Sequence, residues 1–494
     1  KQEGYRKNAF LLNNNPRGFV RWIFDFRRTY LSYIVILFHL QQYISMQIIR
    51  RRYYFWLIKA YFKKWSKTII SSIMLGAIFF FVIIFVLNFY IFPRLQKKVQ
   101  KIGFQGAYTL QTIPAGILSN VSYGLTEIGE NQSIKPGAAY KWQVKDDGRE
   151  YLVYIKKGQY FHDNRELTTQ NLPIAFKDVD KKAIDEYTIS FKLRKAYAPF
   201  LATLSTPILT RDLAGLGDYK ITKVDLNAGF IKSLTLIKKK DRSVKKIINF
   251  YPSEKALKTA YALGEVDVAN GLKSTSIKDR SFETFGNTKI GKNTNYNKLI
   301  TAFYNNSDKI LSNKKTRQAL NYAIPADFEE GERAFSPFSP ISLYFSKTPN
   351  YGVSDPSIAR ELLSEVKEAR NAIFEISVLE GYENVASAIQ RTWEKIGINS
   401  RIRVVNGLPH NFQILIYPMN LGEDPDQYTL WHSGEINNIS HYKNLRIDKI
   451  LEDGRFNHDR ARRIEIYQDF QKYLIDDVPA SFLYFPYEYQ VARN

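Results

Sequence analysis

Residues Thr68 to Phe92, "TIISSIMLGAIFFFVIIFVLNFYIF", run for 25 positions without a formal charge. A bilayer's hydrocarbon core of about 30 Å takes about 20 apolar residues in a helix. The run is long enough to cross it with room for tilt. Buried helices of soluble proteins are usually shorter and keep one polar face, and this run shows no charged side at all. No comparable stretch follows it, which argues against a multi-span channel or permease. The reading is one membrane crossing, then about 400 residues of mostly polar sequence. A cleaved signal is not expected, because its apolar core covers only about 7–15 residues and ends at a small-residue site. "NFYIFPRLQKK" offers no such site.

Charge sets the direction of crossing. Residues 47–67 carry seven Lys/Arg, and residues 94–113 carry four. Cytoplasmic flanks are enriched in Lys and Arg, so residues 1–67 are expected inside and the large C-terminal part outside. The net charge of +23 is concentrated in the same place. Residues 1–101 hold 18 Lys/Arg against two acids, and the remainder 53 against 46. Basic juxtamembrane sequence attracts anionic lipid heads, which explains the pI of 9.6 without a nucleic-acid partner. The chain has no cysteine, so neither a lipidated cysteine nor a disulfide is expected, and the span is left as the anchor.

Before the span, residues 1–30 look polar and poorly ordered. Leu31–Ile49 is apolar but interrupted by His39, Gln41, Gln42 and Gln47. It reads as an interfacial helix or a poor second span, and the interruptions favour the interface. "RRRYYFWLIKAYFKKWSK" is clearer. At about 100° per residue, Arg52, Lys59, Lys63 and Lys67 share one face, and Tyr54, Ile58, Tyr61 and Trp65 the opposite one. That pattern predicts a basic amphipathic helix on the membrane surface, with a partner-binding helix as the other reading.

After Pro93 short strands and helices alternate. Tyr140–Gly158 reads as a hairpin around Asp146-Asp147-Gly148. "EYTISFKL" (Glu186–Leu193) alternates again. "SEKALKTAYALGEVDVA" reads as a helix stopped by Gly264 and then a short strand. Ile373–Leu379, Glu383–Lys395 and Ser400–Val405 read as strand, helix, strand, a crossover that implies parallel pairing. A terminal helix over "HDRARRIEIYQDFQKYLIDD" precedes a closing strand, "ASFLYFPYEYQV". The fold class is α/β with mixed sheets, long enough for two or three lobes.

Signs of catalysis are missing. The sequence has no G-x-S-x-G, P-loop or G-x-G-x-x-G pattern. Its six histidines, at 39, 162, 410, 432, 441 and 458, show no H-E-x-x-H spacing. "FHDN" (Phe161–Asn164) suits a polar turn. No enzyme, metal or cofactor is expected. The densest stretch is "GEDPDQYTLWHSGEINNISHYKN" (Gly422–Asn444). Asp424, Pro425 and Gln427 fit a helix cap, its first position and a capping box. Tyr428, Trp431 and His432 are amphipathic aromatics beside an Asn/Ser-rich loop, a composition suited to a ligand wall.

The C-terminal part resembles the family 5 extracellular solute-binding proteins, the peptide- and nickel-binding receptors of ABC importers. Seven stretches carry the resemblance in order over roughly residues 103–494. They are "YGLTEIGENQ…FHDNRELTTQNL", "GLGDYKI", "GEVDVANGL", "NNSDKILSNKKTRQALNYAI", "DPSIARELLSEV", "NVASAIQRTWEKIGIN" and "PDQYTLWHS…NNISHYKNLRIDKILEDG". The resemblance implies a periplasmic-binding-protein-like type II fold with two main lobes. Lobe I would cover 103–274 and 476–494, with a reduced extra lobe at about 123–199, and lobe II would cover 275–475. It also implies hinge closure over a peptide-like solute and delivery to ABC permease and ATPase subunits. A membrane receptor that signals without transport is the alternative. Peptide receptors of the family commonly hold the ligand's α-amino group with an aspartate four residues before the proline of the "DP" block. Here that position is Leu421, which cannot pair with an ammonium, so Glu423 and Asp424 are the acids to consider. The expected ligand-binding set is Tyr428, Trp431, His432, Asp424 and Glu423.

Overall fold

The computed structural model describes residues 16–91, 98–129, 132–347 and 353–493, with the backbone alone for 16–34, 44–51, 90 and 91. The chain divides into two compact units, Lys1–Gln96 and Lys97–Asn494.

The described residues of the first unit form one helix, Pro16–Val86, which continues as a π-helical turn over Leu87–Ile91. Residues 16–30, expected to be poorly ordered, are helical. Pro16 suits a first helical position, and Phe19, Trp22, Ile23 and Phe26 recur at helical spacing. Residues 1–15, and Phe92 at the end of the expected span, lie outside the described residues. Among the described residues one helix, within Arg52–Phe89, is long and apolar enough to cross a membrane. The helix has non-helical torsions at Trp65 (φ −117°, ψ 19°).

The second unit is built on a mixed sheet whose strands run in the order Asn399–Val405, Ile373–Leu379, Ile414–Asn420, Lys298–Tyr304, Ala480–Arg493, Val268–Leu272, Lys98–Gln105, Val244–Tyr251, Phe230–Lys238 and Tyr219–Asn227. Thr288–Thr294 and Gly331–Arg333 also pair with Ala480–Arg493. This closing strand of 14 residues organises the unit. Its first half, Ala480–Tyr484, pairs with Lys298–Tyr304, and its second half, Tyr487–Arg493, with Thr288–Thr294 and Val268–Leu272. Pro486, between the halves, has no N–H to give to a ladder.

Local signals explain the elements. The helix Glu254–Leu263 starts at Ser253, whose hydroxyl accepts from the Ala256 N–H, and stops at Gly264 with φ 80°. Ile373–Leu379 and Asn399–Val405 pair in parallel across the helix Glu383–Glu394. That helix buries Val385, Ala386, Ile389 and Trp393, and Trp393 meets Phe374 edge-on at 6.1 Å. A separate antiparallel sheet runs Ala139–Lys145, Glu150–Ile155, Thr188–Leu193, Val179–Ala183. Its first hairpin turns at Asp146, Asp147 and Gly148, all at positive φ, a conformation that Asp and Gly tolerate. Tyr151, Val153, Phe161, Ile189 and Phe191 fill a core of its own.

Candidate binding site

A cavity of about 960 Å³ lies beside the closing strand of the second unit. One side comes from Phe104, Gln105 and Gly106 at the end of an inner strand, and from Asn270 and Lys273. The other side comes from Gly381, Tyr382 and Asn384, where the helix Glu383–Glu394 begins. Asn293, Asn295 and Lys298 contribute, and Tyr484, Tyr487, Glu488 and Gln490 of the closing strand run along the cavity. The backbones approach closely here. A Cβ on Gly331 would lie 2.1 Å from the Tyr484 ring and 2.3 Å from the Phe485 carbonyl oxygen, so only glycine lets this segment pair with the closing strand.

The polar groups are held in place. The Asn295 amide donates to Glu488 Oε1 at 2.5 Å, and its backbone N–H to the Pro486 carbonyl at 2.9 Å. Gln490 Nε2 donates to Asn270 Oδ1 at 2.6 Å. Lys273 is anchored through its backbone N–H, which donates to Glu254 Oε1 at 3.1 Å. Its ammonium lies 4.3 Å from the centre of the Tyr382 ring, within cation–π range. Desolvation holds the Lys273 pKa below the usual lysine value; Glu254 pulls the other way and Lys298 adds to the depression. Burial likewise pushes the Tyr382 phenol up, with Glu488 adding to it. The cavity thus offers aromatic faces, amides that donate and accept, and charges of both signs. Those groups can bind and orient a polar solute. Among the described residues no group of three His, Asp or Glu is placed to hold a metal.

None of the five residues singled out in Gly422–Asn444 lines this cavity. Asp424 is paired with Arg463 through two contacts of 2.6 and 2.8 Å, both side chains largely buried. The expected cap is replaced: the helix runs Tyr428–Trp431, with Gln427 before it and no side-chain cap. Asp424 instead accepts from the Asp426 N–H, and Asp426 from the Tyr428 N–H. Trp431 has 0% of its surface exposed. Its ring packs on Phe303 and Phe482, and its N–H donates to Gln427 Oε1 at 2.8 Å. Gln427 in turn donates to the Pro337 carbonyl. Tyr428 and His432 stack with centroids 4.1 Å apart, and the Arg455 guanidinium lies 4.0 Å from the Tyr428 ring. Tyr428 lines a second cavity of about 720 Å³ with Phe176, Tyr197 and Arg455. Glu423 is exposed.

The residues that line the large cavity come from segments far apart in sequence, and no local spacing announces them. The closing strand held the one legible signal, four aromatics in "YFPYEY" beside a proline.

Comparison with solved structures places this architecture among the type II periplasmic binding proteins. The ABC transporter substrate binding protein CtaP from Listeria monocytogenes superposes with a TM-score of 0.69 at 20% identity, over 81% of this chain and 94% of that one. The oligopeptide-binding protein AppA of Bacillus subtilis, in complex with a nonapeptide, superposes with a TM-score of 0.62 at 22% identity, over 81% and 95%. In sequence, AppA is 25% identical over 455 aligned residues, 75% of this chain and 81% of AppA. The profile of "Bacterial extracellular solute-binding proteins, family 5 Middle" matches residues 170–438, more than half of the chain. The chain belongs to the family 5 bacterial extracellular solute-binding proteins, a family of transporter substrate-binding components rather than enzymes.

Proposed function

We propose that this protein captures a peptide-like solute outside the cytoplasm, in the cleft crossed by its closing strand, and hands it to an ABC permease driven by its ATPase. Lobe I comprises 103–274 and 476–494, with an extra lobe at about 123–199, and lobe II comprises 275–475. The carrying observation is the cavity of about 960 Å³, to which segments of both lobes contribute. Its size suits a small-molecule or peptide ligand. The closing strand pairs with Val268–Leu272 of lobe I and with Thr288–Thr294 and Lys298–Tyr304 of lobe II, which supports closure of the two lobes about it. The oligopeptide-binding name and bound nonapeptide of AppA support the ligand class.

The apolar run Thr68–Phe92 serves as the tether, with residues 1–67 in the cytoplasm. A tether gives the receptor an effective concentration of roughly mM at its permease. Protease applied to intact cells, after any outer barrier is opened, then degrades the large unit and spares the arm; protection of the large unit contradicts this topology. Binding is tested by melting the full chain in detergent with a pool of short peptides. A ligand at about 100 times its Kd stabilises by about 2.7 kcal/mol. A pool that leaves the melting temperature unmoved counts against the peptide reading.

A further inference from the structure

The helix Pro16–Val86 has 71 residues, about 107 Å at about 1.5 Å per residue. A hydrocarbon core of about 30 Å takes less than a third of that. Among the described residues of the helix, the α geometry fails at Trp65 and again where the π turn begins at Leu87. Between these two breaks lie residues 66–86, about 32 Å of helix, which matches the core. The helix's own irregularities therefore bracket one bilayer thickness.

On the N-terminal side of Trp65 one face is mainly basic, with Trp56 among its cations, and the opposite face is mainly aromatic and aliphatic. Residues 50–67 hold seven Lys/Arg and no acid. Arg52, Lys59 and Lys63 share one exposed face. Opposite them Tyr54, Ile58, Tyr61 and Trp65 are 61%, 55%, 63% and 46% exposed. A nucleic acid would take the cations and leave the aromatics in water. An anionic leaflet takes both, and the same helix already runs into it. Tryptophan prefers the depth at which headgroups meet acyl chains, and a residue with broken torsions is where a helix changes direction.

We propose that residues 50–67 lie in the headgroup layer of the anionic leaflet, cations toward the phosphates and aromatics toward the acyl chains, with Trp65 as the joint to the span. This rests on the anchor reading above, and the test separates the two. Because the chain has no cysteine, single and paired cysteines can be spin-labelled in the full protein, reconstituted into vesicles with and without phosphatidylglycerol. With phosphatidylglycerol, labels at Tyr54→Cys, Ile58→Cys and Tyr61→Cys collide with oxygen, and those at Lys59→Cys and Lys63→Cys with an aqueous nickel chelate. The alternation fades in pure phosphatidylcholine, in high salt, and in K59E/K63E. Arg52→Cys and Ile78→Cys labels, about 39 Å apart along a straight helix, come to about 28 Å if the joint turns by about 90°. Equal exposure of both faces to water, a straight-helix distance, or alternation seen only after nucleic acid or a cytoplasmic protein is added overturns the proposal. Phe79→Cys reports the span separately: oxygen collisions there uphold the anchor whatever the arm does, and water exposure there overturns both.

Discussion

Two regions of the second unit carry dense polar and aromatic chemistry, and they use it in opposite ways. In Asp424–His432 the groups answer one another. Asp424 meets Arg463, Asp426 meets Arg455 at 2.8 Å, Gln427 meets Trp431, and Tyr428 covers His432. In the cleft, Asn295 pairs with Glu488 and Gln490 with Asn270, but Asn293, Asn384 and Lys298 face an open volume. A satisfied network fixes a fold, whereas unspent donors, acceptors and ring faces are what a ligand needs. Residue types alone do not distinguish the two cases.

The contrast is sharpest under mutation. Trp431→Ala leaves a hole against Phe303 and Phe482 and costs about 3–5 kcal/mol, read as a large fall in melting temperature of the empty protein. Asp424→Ala strands the buried Arg463 guanidinium and costs a similar amount, about 3–5 kcal/mol. If either variant melts like the parent but loses ligand-induced stabilisation, Asp424–His432 is a binding wall and the comparison fails.

Acid titrates the network side more gently. His458 hydrogen-bonds the Tyr151 hydroxyl at 2.6 Å. Burial holds its pKa below the usual histidine value, and the charge of Arg463 pushes the same way. The unfolded chain therefore takes up this proton first. The stabilisation is complete above about pH 6.5 and is lost as the pH falls from there through the folded pKa, with a slope of at most about 1.4 kcal/mol per pH unit. His458→Gln should flatten that slope in acid unfolding curves, and an unchanged slope removes His458 from the account.

The smallest effect on the empty protein belongs to the cleft. Asn293→Ala and Asn384→Ala alter exposed side chains, so each shifts unfolding by no more than about 0.5 kcal/mol. Both should weaken peptide-induced stabilisation, which calorimetric titration reads directly.

The same contrast explains what the sequence disclosed. Stop and turn signals are local, so Gly264, Gly148 and the 373–405 crossover were legible. The Asp424–His432 stretch stood out for its cap residues and its aromatics, which lie within a few residues of one another. Even there the partners that decide its role, Arg463 and Phe303, lie far off, and the cap expected at Asp424 yields to the pairing with Arg463. The cleft combines residues near 105, 273, 295, 382 and 487, which only the sheet order brings together. Leu421, which packs against the core around Trp431, is not among the residues that line the cleft.

The most direct test of the central claim uses the absence of native cysteine. Asn293→Cys marks the cleft, and Tyr428→Cys marks the other region. The rate at which a maleimide modifies each is measured with and without the peptide pool. Occupation of the cleft predicts that peptide slows modification at Asn293→Cys and leaves Tyr428→Cys unchanged. Protection at Tyr428→Cys with none at Asn293→Cys would place the ligand on the wrong side of the comparison and contradict the account.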